Sequence, residues 1–106
     1  MRFKMITPLV AAAMVAIWAV SEASAPNSIE VKEFMFTPTT LTVNAGAEVS
    51  WVNKDDEPHT VVSDNGLFRS GALDTDESFS FKFDKPGTYH YTCSIHPRMV
   101  GTIIVK

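Results

Sequence analysis

The sequence has a single cysteine, Cys93, in 106 residues. No disulfide can close within the chain, so the thiol is a metal ligand, a buried hydrophobe or a link to another molecule. It also lacks an excess of positive charge. Nine Lys and Arg stand against 12 Asp and Glu, a net charge of −3, which argues against a nucleic-acid partner, whose phosphates demand clustered cations. Beyond its first 25 residues the chain has no long apolar run, no sustained helical spacing, no internal repeat and no linker that would divide it. A long amphipathic helix, a polytopic membrane protein and a multidomain enzyme are thereby set aside.

What is present begins with a leader pattern. Met1-Arg2-Phe3-Lys4 is basic, Ile6 to Val20 is almost wholly apolar, and Ser21-Glu22-Ala23-Ser24 supplies small residues, the composition of a secretory signal peptide. Residues 1–23 are the expected signal and residues 24–106 the domain; cleavage after Ala25 is the alternative and would leave Pro26 directly behind the cut. A retained anchor is the competing reading, but Glu22 ends the run short of the roughly 20 apolar residues a span needs. The expected location is the periplasm or another exported compartment, with no stable membrane insertion after cleavage. Loss of Arg2, Lys4 and Glu22 leaves 7 basic and 11 acidic residues. The remaining domain, of about 80 residues, is near the size at which a hydrophobic core alone stabilises only marginally and a bound metal helps.

Apolar residues then recur at every second position: Ile29 and Val31; Leu41 and Val43; Val49 and Trp51; Phe79, Phe81 and Phe83; Tyr89, Tyr91 and Cys93; Ile103 and Val105. Period two over short runs means half-buried strands. Turn compositions separate them, among them Asn44-Ala45-Gly46, Asn65-Gly66 and Lys85-Pro86-Gly87. The expected fold is all-β, a Greek-key β-sandwich of about seven or eight strands. Parity changes between Val31 and Phe34, which predicts a bulge near Glu33. Met35, between Phe34 and Phe36, is expected to pack.

The chemistry is concentrated in Tyr91-Thr92-Cys93-Ser94-Ile95-His96-Pro97-Arg98-Met99, where a thiolate, an imidazole and a thioether follow at three-residue intervals. His59 stands far upstream, after Pro58, at the opening of an expected strand His59 to Ser63. Two imidazoles and a thiolate in a plane with a weak thioether suit both Cu(I) and Cu(II). Each residue alone has an ordinary explanation; the combination of fixed offsets, a distant histidine and a strand pattern points to one copper ion. His90 falls on the face opposite Cys93 and is not expected to bind it.

On Val52-Asn53, Pro58-His59, Gly87-Thr88-Tyr89 and the Cys93, His96, Met99 loop, the stretch from Ile29 to Lys106 resembles the cupredoxins, the small blue copper proteins, and most of all their amicyanin, plastocyanin and pseudoazurin branch. Its short ligand loop is that of amicyanin. The resemblance implies His59, Cys93 and His96 as equatorial ligands and Met99 as the axial one. It also implies that Asn53, placed inward by the parity of Val49 and Trp51, ties the two ligand loops together, with the Lys54 N–H donating to the cysteine sulfur; a simple turn asparagine is the alternative. One departure is Ile95, where amicyanin and plastocyanin have proline. Its N–H is expected to give the sulfur a second hydrogen bond and raise the reduction potential.

The expected function is electron carriage between transient redox partner proteins by a monomer. A copper-delivery or copper-tolerance protein is the alternative, less favoured because Met35 and Met99 are the only methionines past the leader. Four donors leave no open coordination position, so an enzyme is not expected. The acidic groups Asp55-Asp56-Glu57 and Asp74, Asp76, Glu77 either attract a basic partner or form solvated turns.

Overall fold

A computed structural model describes residues 27–106 of the protein; the expected signal segment and its cleavage site lie outside them. Alternating apolar residues build eight strands: β1 (Ser28–Lys32), β2 (Met35–Thr37), β3 (Thr40–Val43), β4 (Ala47–Asn53), β5 (Val62–Ser63), β6 (Ser78–Phe83), β7 (Gly87–Thr92) and β8 (Val100–Val105). They form two four-stranded sheets, ordered β2-β1-β4-β6 and β3-β8-β7-β5. The pairs β1–β4 and β3–β8 are parallel and the rest antiparallel. Between β2 and β7 the chain changes sheet at every connection, so only β1–β2 and β7–β8 are strands adjacent both in sequence and in space. This is the all-β sandwich expected from the alternation.

The inward faces meet around Trp51, which is fully buried on β4. Its ring lies 5.4 Å from Tyr91, 5.7 Å from Phe68, 5.8 Å from Phe79 and 6.5 Å from Phe83, all within the range of favourable aromatic pairing. Tyr91 on β7 lies opposite Gly101 on β8. A Cβ at Gly101 would collide with the tyrosine ring, so glycine is there to admit the aromatic side chain. Burial pushes the Tyr91 phenol up to about 12, and it stays neutral in the core. Phe83 is buried, while Phe79 and Phe81 pack from the edge, as the phenylalanine stripe suggests.

The parity change near Glu33 has a different origin from the expected bulge. Lys32 pairs with Met35 and Val31 with Phe36, so Glu33 and Phe34 are the two central residues of a tight hairpin turn. Both are left-handed, with φ of 54° and 59°, as a two-residue turn of this hand requires. Asn-Gly is the usual occupant; a non-glycine residue there costs on the order of 1–2 kcal/mol, so something outside the turn must hold it. The reversal also turns Met35 outward, where it is 55% exposed. It does not pack in the core as its position in the run suggested.

Candidate metal centre

The two ligand-bearing loops leave the sandwich at the same end. β4 finishes at Asn53, and after residues 54–58 His59 forms a single antiparallel bridge with Leu73. The expected strand from His59 is shorter in fact, since only Val62–Ser63 pairs regularly with β7. β7 ends at Thr92, so Cys93 is the first residue beyond it. The loop then closes on itself: Met99 N–H donates to His96 O at 2.9 Å, and Cys93 N–H to Met99 O at 3.1 Å. β8 starts directly after Met99.

His59, Cys93 and His96 bring one donor atom each within 4.8 Å of one another. Cys93 Sγ lies 3.8 Å from Nδ1 of His59 and 3.8 Å from Nδ1 of His96. Donors sharing one ion in a trigonal plane, at bond lengths of ~2.0–2.3 Å, stand about 3.5–4 Å apart, so the three atoms fit a metal. Cys93 and His59 are completely buried and Met99 nearly so, which keeps water from the donors. His90 is elsewhere, its Nδ1 3.2 Å from Thr102 Oγ1.

Two neighbours fix the donors. The carboxylate of Asp55 lies 2.8 Å from His59 Nε2. An ionised carboxylate only accepts, so Nε2 carries the proton and Nδ1 presents its lone pair toward Cys93. Asp55 also accepts from Glu33 N–H at 2.6 Å and Phe34 N–H at 3.0 Å. Partial burial pulls its pKa upward, but these N–H groups and His59 outweigh that and hold the carboxyl below its ordinary value.

Thr60 is the second. Its N–H donates to Cys93 Sγ at 3.4 Å and its hydroxyl lies 3.8 Å from the same sulfur. Ser94 N–H donates to Thr60 Oγ1 at 2.7 Å. Thr60 therefore joins the two ligand loops. Lys54 N–H does not reach the sulfur, because it is taken by Val31 O at 2.7 Å. Nor does the Ile95 N–H appear among the hydrogen bonds to Sγ in the described residues; Ile95 is 47% exposed at the rim. A sequence signal for Thr60 exists only in its position next to His59, and for Asp55 in its offset of four residues from that histidine.

Asn53 is fully buried, as the parity of β4 predicts, but its side chain ties the His59 loop to Leu73 rather than to the Cys93 loop. Its Nδ2 donates to Glu57 O and Leu73 O, each at 2.8 Å, and its Oδ1 accepts from Asp55 N–H at 2.8 Å. No bond runs from it to residues 93–99. Asn53→Leu would strand three backbone groups, at about 1–3 kcal/mol for each one that remains buried. A loss of at least 3 kcal/mol in urea unfolding is expected, whereas a solvated turn asparagine would give a change within about 0.5 kcal/mol.

The sulfur's surroundings also set its acidity. Burial raises the Cys93 pKa, but the Thr60 N–H, both histidine side chains and the His96 N–H more than reverse this and lower it from 9.0 to about 6. The folded protein therefore sheds the thiol proton before the unfolded chain does. In the metal-free state stability from this group is complete above pH 9 and declines as pH falls toward 6. The urea midpoint of the metal-free protein should climb from pH 6 to 9 more steeply than that of Cys93→Ser; parallel profiles would contradict the lowered pKa.

A family model described as a cupredoxin-like domain matches residues 5–105. The chain belongs to the cupredoxin family. Amicyanin-alpha of Methylorubrum extorquens is 32% identical over 102 residues, covering 86% of this chain and 82% of that one. The chloroplastic plastocyanin of Tetradesmus obliquus is 36% identical over 114 aligned positions, covering 90% and 79%. Among solved structures, a purple cupredoxin from Nitrosopumilus maritimus superposes with a TM-score of 0.69 at 32% identity, over 74% of this chain and 98% of that one. The cofactor of this cupredoxin is one copper ion, and the fit rests on the donor set itself: thiolate and two imidazoles converging beside a buried thioether residue.

Proposed function

We propose that this cupredoxin is an electron carrier in which His59, Cys93, His96 and Met99 would hold the copper ion, the first three as the strong donors and Met99 as the weak one. When bound, copper supplies one-electron exchange between Cu(I) and Cu(II). The protein's part is to hold the donors still. The observation that carries the reading is the convergence of His59 Nδ1, Cys93 Sγ and His96 Nδ1 at the mouth of two braced loops. Thr60 N–H draws electron density from the sulfur, and Asp55 fixes the tautomer of His59. A site already shaped for its ion needs little rearrangement at each transfer.

His96 is the one donor of the three that is partly exposed. It opens into a shallow depression formed with Phe34, Ile95, Pro97, Arg98 and Met99, a rim apolar apart from Arg98 on which a redox protein can dock closely through a small, transient interface. Among the described residues no helix is long and apolar enough to cross a membrane. Export to the periplasm with removal of residues 1–23, and action as a monomer, complete the proposal. Cu(II) added to the purified protein should give intense blue absorption, narrow copper hyperfine splitting and reversible voltammetry. Uptake without the blue band would overturn the ligand set; a blue site without reversible electron exchange would favour copper delivery or tolerance.

A further inference from the structure

Three rings stand in a closed triangle at the mouth of the site. Phe34 is 5.2 Å from His59 and 4.7 Å from His96, both nearly perpendicular, and the two imidazoles are 5.0 Å apart. The phenylalanine is brought there by a turn whose sequence, Glu33-Phe34, does not favour its own left-handed conformation. An Asn-Gly turn would form more readily, but would have no ring to place against the imidazoles.

The group that enforces the turn is the same one that grips His59. Asp55 Oδ1 accepts from Glu33 N–H, and Oδ2 accepts from Phe34 N–H and faces His59 Nε2. Resting on the reading of this site as a copper centre, we propose that Asp55 is a positioning residue for both histidine ligands: for His59 directly, and for His96 through the Phe34 ring. One carboxylate thus couples the β1–β2 hairpin to the orientation of two imidazoles on two other loops. Its nearness to His59 alone would not require the turn contacts. The turn contacts alone would not require the carboxylate to be shared with a ligand.

Asparagine at position 55 has one acceptor oxygen, and its amide group would oppose either the turn N–H groups or His59 Nε2–H. The test compares wild type, D55N, F34L and F34Y in the full chain. In the metal-free protein, carbon-bound ring protons of His59 and His96 are followed by NMR, with Trp51 and Tyr91 signals as controls for folding. D55N should move the His96 resonances toward their F34L positions although Asp55 has no bond to His96; F34Y should leave them near wild type. In the copper-loaded protein, D55N and F34L should each weaken retention against a chelator, D55N by about 10- to 100-fold, and the double variant should lose little more than D55N alone.

If D55N shifts only His59, or if the two losses multiply, Asp55 acts on His59 alone and the proposal is overturned. Should D55N fail to fold, D55S makes the same comparison, since its hydroxyl cannot serve all three donors. The ring-proton measurement needs no metal. Ring shifts of the expected kind in a chain that takes up no copper would sink the electron-carrier reading and leave the role of Asp55 standing.

Discussion

Cys93→Ser should fold, yet lose the intense visible absorption of the copper-loaded protein altogether. Serine offers a hard oxygen donor in place of sulfur, so neither the thiolate charge-transfer band nor the soft-ligand support of Cu(I) survives. The surroundings tolerate the change: the side chain is small and buried, and the Thr60 N–H that donates to Sγ can donate to Oγ. Copper retention should fall by more than the about 10- to 100-fold typical of removing an outer partner. His90→Ala, outside the site, is the control and should leave the spectrum intact. A blue Cys93→Ser protein would mean that the sulfur is not a ligand.

The second large effect is on stability. Trp51→Ala removes the fully buried ring that contacts Phe68, Phe79, Phe83 and Tyr91 across the two sheets. Aromatic-to-alanine changes in cores cost about 3–5 kcal/mol, and a domain of about 80 residues has on the order of 4–12 kcal/mol in total. The metal-free variant should melt about 15 °C or more below wild type. Excess copper should recover part of the loss, because binding to the folded state alone pulls the equilibrium back. A melting point within about 3 °C of wild type would show that the sandwich is not organised around this residue.

The donors and the strands were legible in the sequence for the same reason: both are local. Alternation along Val49, Trp51 and Asn53 records which side of β4 faces inward, and the offsets among Cys93, His96 and Met99 record a loop short enough to close on its own backbone. The bracing of the site was not legible, because it depends on where separate strand ends meet. Lys54 and Thr60 both flank the loop that carries His59, and only the path of β1 decides that Lys54 N–H goes to Val31 while Thr60 N–H goes to sulfur. Asp55 sits in an acidic triplet that reads as a solvated turn, yet it alone of the three faces the hairpin and His59. Met35 misled because it stands in an apolar run between two phenylalanines: the parity change after Val31 marked an exchange of faces there, but a bulge and a two-residue hairpin turn leave the same mark.

The placement of β8 between β3 and β7 has a consequence for synthesis. A ribosome that has translated as far as Met99 has made every proposed copper donor but none of the strand that both neighbours pair with. Until Val100 to Val105 emerge, half of the sandwich has no centre, and the nascent chain cannot trap the ion in its finished cage.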